Sequence, residues 1–306
     1  MTATDERTLS TPTGRLLGSW PAGSHEWHAA RASRLGGSDI AAVLGLSPWE
    51  SRFSLWHRKS GLIGQPDLSD VMEWGNRLED AVAQKFADEH PALEVIRAGT
   101  FVHPGRDYQL ANPDRLLRGE GPDKVLEVKT AREDTHWGEP GTDEIPVHYR
   151  PQILWYLDTL GLRIAHIAVL IAGSDYREYL IDMADVDAAE IAYMRDEAEA
   201  FMASIAASQR PDIDGSTATY DVLKQWPDNV IDDDVQVSVE VRDAFWAAQD
   251  ASKAADAEKK RMASVLLDLI GDCRRAKCGE EIVATRSVRP DGTTHSLKPA
   301  RRKAHS

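Results

Sequence analysis

Two charged side chains two residues apart, Glu127 and Lys129, lie in the short apolar run LEVKT. Side chains alternate between the two faces of a β-strand, so a strand here places Glu127 and Lys129 on one face and Val128 on the other. An isolated pair of this kind is most often the solvated face of a half-buried strand. It indicates chemistry only if other reactive groups lie beside it.

Asp114 is such a group. It follows Pro113 in a strand-like segment, and the turn RGEGPD can bring it beside Glu127. Two carboxylates a few ångströms apart repel each other, and a divalent cation is the usual remedy, with hard oxygen ligands suiting Mg²⁺ or Mn²⁺. Lys129 would orient or deprotonate an attacking water, and the metal would stabilise charge on a scissile phosphate. The pattern is typical of metal-assisted phosphodiester hydrolysis.

The flanking sequence predicts the elements that must position these groups. Helical periodicity and capping residues predict α-helices at residues 24–33, 37–45, 53–61, 68–91, 150–161 and 185–208. Alternating or continuous apolar runs between turn residues predict strands at 93–102, 107–112, 124–130, 164–173 and 176–182. Mixed helices and strands of this kind predict an α/β fold.

Composition divides the chain into four predicted parts. Residues 1–24 are rich in Thr, Ser, Gly and Pro and predict a mobile N-terminal arm, and residues 25–210 carry the α/β core. The polar, acidic residues 211–234 predict a linker. Residues 235–306 predict a C-terminal extension with a long helix at 235–271, a hairpin at 279–298 and a basic tail.

Charge and cysteine content set outer bounds on function. The net charge of −14 argues against nonspecific coating of nucleic acid, but it does not decide the charge of a local cleft. Cys273 and Cys278 form neither a disulfide framework nor a zinc motif. The chain shows no run of about 18 apolar residues and no apolar leader, so we expect a cytoplasmic protein with no membrane partner.

The chain resembles a known nuclease family. Pro113-Asp114 followed by Glu127-Val128-Lys129 matches the PD-(D/E)XK signature, and the surrounding segments look like the YqaJ-like viral recombinase and phage lambda exonuclease group. The resemblance covers roughly residues 25–208 and rests on six segments in order: WHAARASRLGGSDIAAVLGLSPW, FSLWHRKSG, EWGNRLEDAV, ANPDRLL, LEVKT and IPVHYRPQILWYLDTLG. It implies a restriction-endonuclease-like core in which helices flank a central mixed sheet. Two departures are Arg115, where the family more often has Gly, and Pro151 beside Gln152.

The resemblance also implies roles by position. Asp114, Glu127 and the backbone carbonyl of Val128 match the ligands of a Mg²⁺ ion, for which Mn²⁺ could substitute, and Lys129 matches the group that positions the water. Glu79, on the long predicted helix, matches an acidic residue aimed at the site. Gln152 and Tyr156 match the Q-x-x-x-Y helix, whose shared face could contact substrate phosphate and the lysine.

A second motif of the family lies near the N-terminus. Trp27, Arg31 and Ser38 match a W-x-x-x-R…S arrangement that binds the 5′ phosphate at a DNA end, and a guanidinium and a hydroxyl suit that anion. The alternative is that Arg31 pairs with a nearby acid and that Ser38 only caps a helix. The tryptophans at 27, 49, 56 and 74 are expected to be packing residues rather than base-stacking surfaces.

Taken together, the motifs predict a Mg²⁺-dependent 5′→3′ double-strand DNA exonuclease of phage recombination type. The family implies a homo-oligomer, often a trimeric ring, that exposes a 3′ single strand for an annealing protein. Two alternatives remain open on the same fold. One is an endonuclease, restriction-like or junction-resolving, and the other is a non-catalytic module that binds DNA ends.

Overall fold

The computed structural model describes residues 9–65, 69–119, 121–225 and 230–300. The chain divides into two compact units, Met1–Asn229 and Val230–Ser306. The first unit contains all the predicted site residues. Each unit is described by itself.

The elements of the first unit follow the predicted order with a few differences. Its helices are α1 (His25–Ala32), α2 (Gly37–Val43), α3 (Arg52–Lys59), α4 (Asp70–Glu89), α5 (Arg150–Leu160), α6 (Ala188–Ala206) and α7 (Thr217–Gln225). Its strands are β1 (Arg15–Gly18), β2 (Leu93–Arg97), β3 (Thr100–His103), β4 (Arg106–Ala111), β5 (Arg115–Gly119), β6 (Lys124–Ala131), β7 (Ile164–Ile171) and β8 (Asp175–Asp182).

A five-stranded mixed sheet in the order β2-β5-β6-β7-β8 forms the centre of the unit. β6 and β7 pair in parallel, and the other neighbours pair antiparallel. α5 connects the two parallel strands, starting with Pro151 in its first turn, where a missing N–H costs nothing, and ending at Gly161 with φ +68°. The sheet and its flanking helices confirm the predicted fold class.

The two faces of the sheet pack against different helices. Val82, Ala83 and Phe86 of α4 cluster with Leu126 and Val128 of β6 on one face. Val125, the preceding residue of β6, belongs to the other core cluster, which also contains apolar residues of α2, α5 and α6. The predicted alternation along β6 is therefore confirmed, and Glu127 and Lys129 face the α5 side.

The N-terminal segment differs from the prediction of a mobile arm. β1 pairs antiparallel with β3 in a second sheet, β1-β3-β4, and Leu9 is buried in the main core. The prediction is wrong for this part of the segment because backbone pairing and two or three apolar side chains are enough to hold a polar stretch against the core. Residues 1–8 lie outside the described part of the chain.

Two strand predictions also need correction. The predicted strand 93–102 is two strands, β2 and β3, which belong to different sheets. β5 was not predicted, although it lies between β2 and β6 in the central sheet. Its sequence, RLLRG, has arginines at both ends of two leucines, and these charged residues obscured the strand pattern.

The segment predicted as an acidic linker contains α7, which packs on α3. The Ser51 and Thr219 hydroxyls lie 2.7 Å apart and form a buried hydrogen bond. The second unit consists of α8 (Val239–Ile270) and a three-stranded antiparallel sheet of β9 (Arg275–Cys278), β10 (Glu281–Val288) and β11 (Thr294–Pro299). The predicted hairpin is present, β9 was missed, and the basic tail beyond residue 300 lies outside the described residues. Among the described helices, none is long and apolar enough to cross a membrane.

Candidate active site

Asp114 and Glu127 lie side by side because of the pairing of β5 with β6. Asp114 immediately precedes β5, and the first residue of that strand, Arg115, is in register with Leu126 of β6. The backbone N–H of Val128 donates to Asp114 Oδ2 at 2.7 Å. The predicted juxtaposition of the two carboxylates is therefore present in the fold.

Glu127 is buried and Asp114 is half-buried, so a negative charge on either carboxylate is costly. Burial raises the pKa of Asp114 well above its usual value, and repulsion from Glu127 and Glu79 adds to this effect. Burial likewise raises the pKa of Glu127, although Lys129 acts in the opposite direction. Within the described part of the chain, Glu127 Oε2 is buried without a hydrogen-bond partner. A buried carboxylate oxygen without a partner costs free energy unless a cation or a donor reaches it.

Lys129 and Gln152 form a network around the other oxygen of Glu127. Lys129 Nζ donates to Glu127 Oε1 at 2.5 Å and to Gln152 Oε1 at 3.3 Å. Gln152 Nε2 donates to Glu127 Oε1 at 2.5 Å and to the Tyr156 hydroxyl at 3.0 Å. Burial alone would lower the pKa of Lys129, but the carboxylates of Glu127 and Asp114 outweigh it and raise that pKa, so the group is held as an ammonium.

Tyr156 lies behind this network and is only 3% exposed. Tyr156 and Gln152 share one face of α5, as predicted. The Tyr156 hydroxyl accepts a hydrogen bond from Gln152 and does not face open solvent. Gln152 makes the contact with the lysine that the helix motif implies. Tyr156 therefore acts on the site through Gln152.

Glu79 lies on α4, which packs against the face of β6 opposite to the one that carries Glu127. Its Oε1 accepts from Arg115 Nη1 at 2.5 Å, and Arg115 also donates to the Asp114 carbonyl at 2.7 Å and to Asp80 at 2.6 Å. Arg115, noted above as a departure from the family pattern, is buried and fixes the acidic helix residue beside the carboxylate pair. This role is not predictable from the sequence, since an arginine beside a turn is more often solvated.

The donor set fits a hard divalent cation. Asp114, Glu127 and the Val128 carbonyl are oxygen ligands of the kind that Mg²⁺ and Mn²⁺ prefer, and one oxygen of Glu127 has no other partner in the described residues. No three His, Cys, Asp or Glu side chains in residues 9–65, 69–119, 121–225 and 230–300 are grouped as a metal cluster. The metal set of two carboxylates and a carbonyl stays a prediction.

Arg31 and Ser38 lie together at the turn between α1 and α2. Arg31 Nη2 donates to Ser38 Oγ at 2.9 Å, and its guanidinium stacks 4.5 Å from the centre of the Trp27 ring. Arg31 Nη1 donates to Asn112 Oδ1 at 3.4 Å. Asn112 stands two residues before Asp114, so this pocket adjoins the carboxylate pair.

Asp39 holds the base of the Arg31 pocket, and the sequence analysis missed it. It is 2% exposed and forms ion pairs with Lys59 at 2.8 Å, Arg58 at 3.1 Å and Arg31 at 3.5 Å. Burial alone would raise its pKa, but the three cations outweigh burial and hold that pKa far below the usual range. Arg58 also pairs with Glu50 at 2.7 Å, so three cations face two carboxylates. The G-S-D segment could have suggested Asp39 as a cap, but its cationic partners come from α1 and α3.

Two glycines join the Arg31 pocket to the carboxylate site. A Cβ on Gly36 would lie 2.7 Å from Arg31 Cζ. A Cβ on Gly37 would lie 2.9 Å from Tyr156 Cζ and 3.0 Å from Gln152 Cγ. The turn therefore passes between the Arg31 guanidinium and α5, whose Gln152 contacts Glu127. A side chain at either position would collide with one of the two, which explains the two glycines.

The tryptophans do not all follow the packing prediction. Trp56 is buried, as expected, and Trp27 is half-buried against Arg31. Trp49 and Trp74 are 67% and 63% exposed, so for these two the prediction is wrong. The sequence alone does not distinguish these exposed tryptophans from buried ones, because the loop after α2 and the first turns of α4 also contain other apolar residues.

Asp114, immediately before β5, lies beside Glu127 and Lys129 of β6, which is the arrangement that the PD-(D/E)XK resemblance implies. Residues 26–163 match the family model of the YqaJ-like viral recombinase domain. The uncharacterized protein YqaJ of Bacillus subtilis (strain 168) is 34% identical over 212 residues, which cover 65% of this chain and 62% of that relative. The match therefore spans less than two thirds of the length of YqaJ.

Two other similarities are more limited. Protein D345L of African swine fever virus (strain Badajoz 1971 Vero-adapted) is 38% identical over 56 residues, which cover 18% of this chain and 16% of that protein. The crystal structure of an alkaline exonuclease (LHK-Exo) from Laribacter hongkongensis superposes with a TM-score of 0.49 at 23% identity, covering 61% of this chain and 94% of that one.

Proposed function

We propose that the chain is a metal-dependent deoxyribonuclease that degrades double-stranded DNA from 5′-phosphorylated ends in the 5′→3′ direction. The observation that carries the proposal is the pairing of the half-buried Asp114 with the buried Glu127, one of whose oxygens has no partner in the described residues, with Lys129 beside it. A purely structural pair would be expected to have its oxygens satisfied by protein donors. The family match of residues 26–163 supports the same conclusion.

The chain's own groups have distinct tasks in this proposal. Asp114, Glu127 and the Val128 carbonyl would hold Mg²⁺, which supplies stabilisation of the charge that develops on the scissile phosphate. Lys129 orients the attacking water through its ammonium hydrogens. Gln152 fixes both Glu127 and Lys129 by hydrogen bonds, and Tyr156 fixes Gln152. Arg115 keeps Glu79 beside the two carboxylates.

The Arg31 pocket is the basis for the proposed preference for 5′-phosphorylated ends and the 5′→3′ direction. Arg31 and Ser38 present a guanidinium and a hydroxyl 2.9 Å apart, and the group around Asp39 carries an excess of positive charge. Charge-assisted hydrogen bonds from a guanidinium suit a terminal phosphate. Because Asn112 links this pocket to the Asp114 strand, a phosphate held here would bring the adjoining phosphodiester towards the carboxylate pair.

Two further parts of the proposal come from the family resemblance. One is that the enzyme acts as a homo-oligomer, often a trimer in the family, which light scattering of the full chain would measure. The other is that the 3′ single strand it exposes is loaded with an annealing protein. Neither follows from the contacts described above.

The decisive assay compares closed circular and linear duplex DNA of the same sequence, with Mg²⁺ and with EDTA. An exonuclease degrades only the linear form and only with the metal. Cleavage of the circle would establish an endonuclease, and binding of linear DNA without cleavage would establish an end-binding module. Asp114→Asn is the matched control, since it keeps the size of the side chain and an acceptor for the Val128 N–H but lacks the charge that a cation needs.

A further inference from the structure

Trp49 is presented to solvent by a well-defined turn. Ser47 Oγ accepts from the backbone N–H of Trp49 at 3.2 Å and from that of Glu50 at 3.1 Å. The Glu50 carboxylate is held by Arg58 at 2.7 Å, and Gly45, with φ +70°, opens the turn after α2. These bonds fix the backbone that carries the exposed indole.

The indole continues into an aromatic surface that ends at the site lysine. Its ring centre lies 4.7 Å from that of His148, nearly perpendicular, and 6.2 Å from that of Tyr149. The centre of the Tyr149 ring lies 5.0 Å from Lys129 Nζ and 5.9 Å from the ring centre of the buried Trp137. We name Trp49, His148 and Tyr149 the aromatic platform.

His148 adds a polar feature to the aromatic platform. Its Nε2 atom is buried without a hydrogen-bond partner in the described residues. An imidazole nitrogen left unpaired beneath an exposed indole has no evident role in stabilising the fold, because burial of an unsatisfied polar atom costs free energy. Because the protein covers Nε2, His148 contributes to the platform through its ring contact with the indole and not through a hydrogen bond.

The position of the aromatic platform indicates the kind of molecule that it suits. Phosphodiester cleavage at Lys129 places a sugar and a base within reach of the neighbouring surface, and every base has a π face that can stack on an aromatic side chain. A rigid, exposed indole loses little conformational freedom when a base stacks on it. Stacking of this kind does not require a particular sequence, which suits an enzyme that moves along DNA.

We propose that the aromatic platform stacks against a nucleobase of the strand being cut, with Trp49 as the contact surface. The inference rests on the proposed function, since it places the cut phosphodiester beside Lys129. The platform is a positioning surface: it fixes the nucleotide while the carboxylate site acts on the phosphate. An apolar protein partner on Trp49 is the competing occupant, and the test below separates the two.

The test uses duplexes in which one of the first few bases of the 5′ strand is replaced by an abasic tetrahydrofuran residue. At the position that stacks, removal of the base slows wild-type digestion by about 5- to 150-fold in kcat/KM, the equivalent of about 1–3 kcal/mol. Trp49→Ala slows digestion of intact DNA by a similar factor and is not slowed further by the abasic residue at that position. Trp49→Phe keeps most of the rate, because it keeps a π face.

Trp246→Ala is the matched control, since Trp246 is also exposed but lies on α8 in the second unit. It should leave both the rate and its response to the abasic residue unchanged. Circular dichroism melting checks that the Trp49 variants are folded. Equal rates for Trp49→Ala and wild type would overturn the platform and favour a protein partner. The same conclusion would follow if, at every position of the abasic residue, its effect on kcat/KM multiplied with that of Trp49→Ala.

A binding measurement separates failure of the platform from failure of the proposed function. In Ca²⁺, a duplex with 2-aminopurine near its 5′ end reports stacking by loss of fluorescence on binding of the full-length chain. Quenching by wild type and Trp49→Phe, but not by Trp49→Ala, supports the platform even if no DNA is hydrolysed in Mg²⁺. Hydrolysis without such quenching at any position would contradict the platform and leave the nuclease proposal standing.

Discussion

Two charge clusters, each built on one buried carboxylate, Asp39 or Glu127, lie on opposite sides of the Gly36–Gly37 turn, and their charge balance is opposite. Around Asp39, the cations Arg31, Arg58 and Lys59 are set against two carboxylates. In the carboxylate site, Asp114, Glu127 and Glu79 are set against Lys129 and Arg115, and Arg115 is shared with the exposed Asp80.

The contrast shows how one small fold can prepare two neighbouring sites of opposite sign. The pKa of Asp39 is far below its usual value because its cations outweigh burial, whereas the pKa of Asp114 is raised because burial and its acidic neighbours act together. In the first cluster the carboxylates are paired and positive charge is left over for an anion. The second lacks positive charge, and this is the property that a divalent cation would correct.

The largest expected effect comes from removing the acidic members of the carboxylate site. Asp114→Asn and Glu127→Gln should each reduce hydrolysis of linear duplex by more than about 10³-fold, because each removes a metal ligand, and a single preorganised electrostatic contact is already worth about 10²–10³. Lys129→Ala should lose a comparable factor. Initial rates in Mg²⁺ provide the measurement, and near wild-type turnover by any of the three would contradict the site assignment.

Loss of Asp39 should damage the fold rather than the chemistry. Asp39→Asn leaves Lys59 and the partly exposed Arg31 and Arg58 without the buried carboxylate that they share. Breaking a buried ion pair from one side costs about 3–5 kcal/mol of unfolding free energy. Urea unfolding followed by circular dichroism measures it. A loss below about 1 kcal/mol would mean that the cluster is solvated and that its ion pairs contribute little.

The same residue predicts a pH dependence with a definite sign. The folded pKa of Asp39 lies below its unfolded value of 3.8, so its stabilisation is complete above that value and is lost as the pH falls towards the folded pKa. The wild type should therefore lose more stability than Asp39→Asn between pH 5 and pH 3. Parallel stability curves for the two proteins would show that Asp39 is not held ionised by its neighbours.

A smaller effect, confined to one substrate, is expected at Arg31. Arg31→Ala should slow digestion of 5′-phosphorylated ends by about 10- to 150-fold at subsaturating DNA and barely change 5′-hydroxyl ends, since a hydrogen bond to a charged group is worth about 1.5–3 kcal/mol. Arg34→Ala is the matched control, because Arg34 pairs with Asp107 at 3.1 Å and not with Ser38. If Arg31→Ala slowed both kinds of end equally, the phosphate pocket would have to be abandoned.

The smallest effect tests the turn between the clusters. A methyl group on Gly36 would push the Arg31 guanidinium aside, so Gly36→Ala should reduce the preference for phosphorylated ends by about 2- to 10-fold, the worth of one ordinary hydrogen bond. Gly64→Ala is the control, because a Cβ there meets no atom within 4 Å and its φ is not in the left-handed region. An unchanged end preference in Gly36→Ala would show that the guanidinium position is not set by this contact.

The carboxylate site was more predictable from sequence than the Asp39 cluster, for a physical reason. Glu127 and Lys129 lie two apart on one strand, and strand periodicity alone fixes their shared face. Asp114 is linked to them by one turn. Asp39, by contrast, finds its cations on α1 and α3, and only the packing of three short helices brings those residues together.

The differences in fold follow the same division. Long amphipathic segments such as α4 and α6 were predicted from their own periodicity. β1 and β5 were missed because they are four and five residues long and depend on neighbouring strands for their hydrogen bonds. The role of Arg115 was missed for the same reason, since its partner Glu79 lies on a different element.

The melting temperature of the wild type, Asp114→Asn and Asp39→Asn, each in EDTA and in saturating Mg²⁺, tests the contrast between the two clusters most directly. In EDTA, Asp114→Asn should melt at or above the wild-type temperature, because a half-buried, repelled charge is removed, and Asp39→Asn should melt well below it. Mg²⁺ should raise the melting temperature of the wild type and of Asp39→Asn, but not that of Asp114→Asn. An Asp114→Asn protein that is as destabilised in EDTA as Asp39→Asn, or that keeps the full Mg²⁺ shift, would contradict the assignment of a cation site to Asp114 and Glu127.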